Sequence, residues 1–213
     1  GEGVDAEVIY ADVAREEDVQ SLVARTVDRF GRIDVMVNNA GIGLGLVPIT
    51  ELPVDVWRRN LDVMALGTML GIREAGRRMI EQGEGGAIIN IASQAGKTGW
   101  PLLGAYCAAK FAVVGLTQVA AKELGPFRIT VNSVCPGTVE TPLLDLRGGL
   151  WEAYTRLAGK PLEELKNDVL AQIPLGRFQK PEDVADLVVF LASGRGRYIT
   201  GCAINSTGGQ EMH

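Results

Sequence analysis

Short apolar runs alternate along the chain with longer stretches in which apolar residues return every three or four positions. The runs at 7–12 (EVIYAD), 34–38 (DVMVN), 87–92 (AIINIA), 129–134 (ITVNSV) and 202–205 predict strands. Between the first two, Val19, Leu22, Val23, Val27 and Phe30 fall on one stripe and predict a helix over 16–30. Helices are also predicted over about 54–81, 103–124 and 181–193. The last carries Pro181 in its first turn, where a missing N–H costs nothing. Strands alternating with helices predict βαβ units and a parallel sheet. The strands are continuous apolar runs, so both faces of the sheet are expected to be covered. The segment 138–179 breaks the rhythm. Pro142, Gly148, Gly149, Pro161 and Pro174 interrupt it, a helical piece runs over 162–172, and it reads as an insertion that covers a site. No repeat, low-complexity tract or linker divides the 213 residues, which predicts a single domain over 1–213.

Composition narrows the function. With 46% hydrophobic and 22% charged residues, the chain is neither disordered nor fibrous. Its 21 basic and 26 acidic residues leave no positive excess for phosphate contacts, so no nucleic-acid partner is expected. No apolar run approaches the roughly 18 residues of a membrane span, so no membrane partner is expected. The opening GEGVDAEVIYADV lacks the basic start and apolar stretch of a secretory leader. Cys107, Cys135 and Cys202 are scattered and form no CxxC, which suggests reduced thiols in a cytoplasmic protein. The one histidine, His213, is the final residue, which excludes histidine triads and histidine zinc sites inside the fold. Chemistry falls to Ser, Tyr, Lys, Asp, Asn or a bound cofactor, with no metal site expected.

Tyr106 and Lys110 lie four apart on a predicted helix and share one face. A cation beside a phenol favours the phenolate, and lowering a tyrosine by 2–3 units from about 10 needs roughly 3–4 kcal/mol, which is expected from the lysine together with a positively charged cofactor ring. A phenol so tuned takes a proton from an alcohol near neutral pH. The same spacing also suits a core tyrosine with a solvated lysine one turn on. Ser93 directly follows the strand at 87–92, where ligands bind in open α/β sheets. It either bonds a substrate oxygen or caps a turn. Asn38-Asn39-Ala40-Gly41 closes the preceding strand, either as a flat seat for a ligand or as an ordinary turn. Gly41, Gly43 and Gly45 are not a dinucleotide fingerprint: Leu46 stands at the sixth position and Pro48 where a helix should open. Asp12 suits an adenine or ribose edge, or a helix N-cap. The run from Pro136 to Pro142 (PGTVETP) offers backbone and two hydroxyls to a carboxamide, or serves as a strand-to-loop turn.

In this order and spacing, the Asp12-Val13 pair, the NNAG run, Ser93 thirteen residues before Tyr106, and Tyr106-x-x-x-Lys110 form one set. With the VNSVCPG run ending at Gly137, and Thr138 with Thr141, they resemble the short-chain dehydrogenase/reductase family over nearly the whole chain. The resemblance implies a Rossmann-like, doubly wound parallel α/β sheet in three α/β/α layers. It implies Tyr106 as catalytic acid/base, Lys110 lowering its pKa and binding the nicotinamide ribose, and Ser93 positioning the reacting oxygen. It implies NAD or NADP. Asp12 and Val13 would border adenine, Asn39, Ala40 and Gly41 would line the adenosine side, and Pro136, Gly137, Val139 and Thr141 would hold the nicotinamide. The cofactor brings the hydride, and the protein brings orientation and electrostatics. SQAG, YCAAK, PLGRFQKPEDVADLVVFLAS and INSTGGQEMH look most like the polyol (sorbitol-type) dehydrogenase branch. That favours a polyol or sugar alcohol as substrate, NAD as cofactor, and a homotetramer or homodimer. Gln94 would meet a second hydroxyl or stay a solvated turn residue; Trp100 would wall the pocket or anchor packing. The alternative substrate class is a 3-oxoacyl thioester or another carbonyl.

Two departures from the family stand out. Its fourth catalytic position, an Asn three residues before a Gly, is Met64 here, with Asn60 one turn earlier and out of register. A weakened proton relay is expected. The family also begins with a strand, a TGxxxGxG turn, a helix and a second strand, about one βαβ unit of roughly 30–45 residues. The present sequence opens just before what would be the third strand. With the family sheet order 3-2-1-4-5-6-7, the two lost strands belong between 7–12 and 34–38. The favoured reading is that the natural protein has a further N-terminal piece. The other is a cofactor-free, inactive fragment that associates through the helices around 61–79 and 103–124.

Overall fold

A computed structural model describes residues 3–141, 144 and 149–213. Its centre is a parallel sheet in the order β1 (Val35–Asn38), β2 (Gly86–Ile91), β3 (Ile129–Pro136) and β4 (Ala203–Ser206). Asn38 pairs with Asn90, Asn90 with Ser133, and Cys135 with Asn205, so the carboxyl ends share one rim. Ile88, Ile89, Val131 and Val134 are essentially inaccessible. That is the burial a parallel strand has between two helix layers.

Seven helices of the described residues surround the sheet: α1 (Glu16–Phe30), α2 (Val54–Leu61), α3 (Gly67–Gln82), α4 (Gly104–Leu124), α5 (Leu150–Ala158), α6 (Leu162–Leu170) and α7 (Pro181–Ala192). Ala75 and Met79 of α3, with Ala120 and Ala121 of α4, pack on Ile88, Ile129 and Val131; Val27 of α1 joins them. On the opposite face, Leu191 of α7 packs on Ala87, Ile89 and Val134. Neighbours Ile88 and Ile89 therefore enter different layers, as the two-residue period of a strand requires. The result is the expected doubly wound, three-layer arrangement. A buried chain of side chains crosses it. Asn38 Nδ2 donates to Asn90 Oδ1 (2.8 Å), Asn90 Nδ2 to Thr117 Oγ1 (2.9 Å), and Thr117 Oγ1 to the Val113 carbonyl (2.8 Å).

Four expectations change. Residues 7–12 form no strand: Val8 and Tyr10 are 96% and 95% exposed, and ion pairs of Asp5 with Arg29 and Glu7 with Arg25 hold the segment on α1. An apolar run becomes a strand only where a partner accepts its hydrogen bonds. β1 is likewise not covered on both faces, since Val35 and Val37 are exposed. The single helix expected over 54–81 is two, separated by a π-helical turn at Asp62–Leu66. Finally, Gly104–Phe127 is long and apolar enough, at mean hydropathy 1.2, to cross a membrane by composition. That corrects the statement that no run approaches a span, but the helix packs on the sheet and carries buried Lys110, so its apolarity serves a core. Helix α5 was not predicted. Pro142 and Gly148, expected to interrupt the insertion, lie outside the described residues. The three cysteines are unbridged, Cys107 and Cys135 buried and Cys202 exposed.

Candidate active site

The carboxyl ends of β2 and β3, with the first turns of α4, wall a cavity of about 640 Å³. After β2 the Ala92 N–H still donates to the Val134 carbonyl (2.8 Å). The chain then makes one 3-10 turn, Gln94–Gly96, capped by Ser93, whose Oγ accepts from Ala95 N–H at 3.1 Å. The turn can lie against α4 because Gly96 has no side chain: a Cβ there would stand 2.8 Å from the Lys110 carbonyl oxygen. Close approach of two backbones is one use of glycine. Ser93 is thereby delivered beside Tyr106, with which its side chain hydrogen-bonds.

Lys110 is buried at 4% exposure. Its Nζ donates to the Ile91 carbonyl at 2.7 Å and lies 5.6 Å from the centroid of the Tyr106 ring. The predicted sharing of one helix face is met. The expected tuning counts on the charge of a cofactor ring as well as on the lysine, and burial acts against it. Burial pushes the Tyr106 phenol above its ordinary value, and the Ser93 hydrogen bond only partly opposes this. Burial also depresses Lys110 to about 8, against the pull of the Cys135 thiol. Desolvation penalises the charged form of each group and is the largest cause of both shifts.

Of the other predicted residues, Asn39 and Gly41 line the cavity from the end of β1. A methyl on Gly41 would sit 3.8 Å from Lys110 Nζ and 3.9 Å from Met64 Sδ, so Met64 does stand at the lysine. Pro136, Gly137, Val139 and Thr141 line the cavity as well. Gln94 and Trp100 also face the cavity, and Gln94 Oε1 and Trp100 Nε1 are buried without a hydrogen-bond partner. Gly43 lines the cavity too, and the next α-helix opens only at Val54, so the glycine run is no phosphate-binding turn.

Asp12, Val13 and Ala40 do not line the cavity. Asp12 Oδ1 accepts from Ala14 N–H at 3.0 Å, and its Oδ2 lies 3.6 Å from Arg59. Asp12 is not the N-cap of α1 either, since Arg15 holds that place. Val13 packs with Met64 and Ala109. Sequence reading missed Trp151 and Tyr154 of α5, which wall the cavity. Their i, i+3 spacing at the start of an amphipathic stretch was the available signal. Tyr154 donates to the Pro101 carbonyl at 3.3 Å, and burial pushes its phenol up to about 12. Gln210 was missed as well; it lines the cavity, and its Oε1 accepts from Thr138 Oγ1 at 3.5 Å.

An ammonium, a phenol and a hydroxyl thus converge beside two strand ends. The absent side chain at Gly41 leaves open space next to Lys110. This donor set fits a nicotinamide riboside.

Residues 1–211 match the family model described as "Enoyl-(Acyl carrier protein) reductase". A short-chain dehydrogenase/reductase of Armillaria gallica is 42% identical over 201 residues, 94% of this chain and 74% of the relative. Diacetyl reductase [(S)-acetoin forming] of Staphylococcus aureus is 42% identical over 202 residues, 95% of this chain and 77% of the relative. The crystal structure of sorbitol-6-phosphate 2-dehydrogenase from Erwinia amylovora superposes with a TM-score of 0.88 at 36% identity, covering 95% of this chain and 78% of that one.

Proposed function

The chain belongs to the short-chain dehydrogenase/reductase family of oxidoreductases, and we propose that it interconverts a secondary alcohol, a polyol or sugar alcohol, and the corresponding ketone with NAD or NADP. One observation carries the reading: Ser93, Tyr106 and Lys110 meet on one cavity wall. When bound, the nicotinamide supplies or accepts the hydride. Lys110, Asn39 and the backbone at Gly41 would hold its riboside, with the Pro136–Thr141 run beside the carboxamide. Tyr106 gives a proton to the substrate oxygen in reduction and takes it in oxidation. The Ser93 hydroxyl orients that oxygen, and the Lys110 ammonium supports the phenolate. The raised Tyr106 keeps the phenol protonated at neutral pH, ready to donate.

The place of Gln94 and Trp100 in the cavity lining, next to Ser93, supports the polyol over the thioester, with a second hydroxyl meeting the Gln94 side chain. Exposed Phe111 and Val119 on α4 support self-association through that helix. The alternative reading of an inactive association module predicts no NADH fluorescence enhancement and no turnover. The test is NADH titration of the purified protein, followed by turnover on vicinal diols, hydroxyketones, sugar alcohols and acetoacetyl thioesters. Tyr106→Phe should lower turnover by about 10²–10⁴-fold. Absence of binding and turnover in the unmodified protein overturns the proposal.

A further inference from the structure

We propose that Gln179 is a positioning residue that holds the Pro136–Thr141 turn in the shape that receives the nicotinamide carboxamide, and so sets affinity for that half of the cofactor. The inference rests on the cofactor reading above.

Gln179 lies between α6 and α7, two residues before Pro181, and is 9% exposed. All four of its hydrogen-bonding groups are engaged. Its Oε1 accepts at 3.2 Å from the Gly137 N–H, which it shares with the Ser206 carbonyl at 3.0 Å, and its Nε2 donates to Ser206 Oγ at 2.6 Å. Its backbone N–H donates to the Thr138 carbonyl at 3.0 Å, and its carbonyl accepts from Glu140 N–H at 2.8 Å. The backbone contacts make a short parallel bridge between Val139 and Gln179. One residue therefore grips the turn at Gly137, Thr138 and Glu140 and ties it to β4.

The same turn lines the cavity through Pro136, Gly137, Thr138, Val139 and Thr141, as do Lys110 and Asn39. Gly137 is already close-packed on its other side, where a Cβ would stand 3.1 Å from Thr207 Cα. The turn cannot shift that way, and the Gln179 amide joins the Ser206 carbonyl in holding it on the open side. Its two backbone bonds survive any substitution other than proline. The side-chain pair is the adjustable part.

The experiment compares Gln179→Leu, Gln179→Glu and Ser206→Ala with the unmodified full chain. Dissociation constants are measured for NADH by fluorescence and for ADP-ribose, which lacks the nicotinamide, by calorimetry. Gln179→Leu should weaken NADH at least tenfold and leave ADP-ribose within twofold. Gln179→Glu keeps the shape and can accept from both Gly137 N–H and the Ser206 hydroxyl, so it should stay within about threefold for NADH. Ser206→Ala, a milder change should Gln179→Leu fail to fold, should weaken NADH two- to fivefold with ADP-ribose unchanged. Equal losses for both ligands, or no loss for NADH, overturn the assignment while the cofactor reading stands. If the unmodified protein binds neither ligand, the cofactor reading itself fails and takes this assignment with it.

Discussion

Lys110→Met removes the buried ammonium while keeping most of the side-chain volume. In the folded protein Lys110 titrates near 8, against 10.5 in the unfolded chain. Below pH 8 both states are protonated, and the folded state bears the full cost of burying the charge, about 3 kcal/mol. Between 8 and 10.5 the folded protein sheds its proton first, so the cost fades as pH rises. The methionine variant carries no such group. Its stability relative to the unmodified protein should therefore fall by about 2–3 kcal/mol between pH 7 and pH 10. A pH-independent offset of about 1–3 kcal/mol acts the other way, because the Ile91 carbonyl loses its donor. The slope, not the absolute gap, is the diagnostic quantity. Urea unfolding of both proteins at pH 7, 8, 9 and 10, followed by tryptophan fluorescence, measures it. A gap constant to within about 0.5 kcal/mol would refute the claim that burial depresses this lysine. Turnover should be lost in the variant whatever its stability.

Three further outcomes are expected. Met64→Asn should raise turnover by restoring an amide at Lys110, and lower the melting temperature by placing a polar group in a site 1% exposed; an unchanged or lower kcat contradicts the relay argument. Gly96→Ala should reduce kcat at least tenfold and cost about 1–3 kcal/mol in stability, since the new Cβ meets the Lys110 carbonyl and pushes the Ser93 turn off α4. Wild-type kinetics in that variant would show that Ser93 is not placed by this contact. Alcohol oxidation should speed up from pH 7 to pH 8, because it needs the phenolate of a tyrosine whose pKa is raised, whereas reduction should not; a flat initial-rate profile for oxidation would argue against Tyr106 as the base.

The three-layer plan was legible because β2 and β3 are apolar on both faces, and only a sheet between helices buries such strands. Ser93 and Lys110 were legible because position carries their chemistry: one follows a strand, the other sits one turn from a tyrosine. Residues 7–12 were misread because their composition suits a strand, while pairing, which composition does not encode, decides. The π-helical turn at Asp62–Leu66 left no mark in the apolar spacing of a helix that continues on either side. Asp12 is assigned to the cofactor by resemblance alone, and the structure adds only that its carboxylate accepts from Ala14 N–H and lies near Arg59. Gln179 and Gln210 were invisible, because a glutamine far along the chain shows nothing of the loop that folds onto it. Sequence shows the cation beside Tyr106 but not the desolvation that opposes ionisation of its phenol.

The Asn38–Asn90–Thr117 chain has a consequence for assembly. It joins segments 52 and 27 residues apart, and the Asn90 side chain is inaccessible to water. The oxygen of that amide is satisfied only when β1 has docked, and its nitrogen only when α4 has. An intermediate that buries β2 with one of them and not the other strands a polar group, at about 1–3 kcal/mol. Half-built sheets are thus disfavoured relative to both the open and the finished state. Docking of the strand at the cavity rim and of the helix bearing Tyr106 becomes one kinetic event, and the backbone amides of β1, β2 and α4 share a single opening free energy in hydrogen exchange.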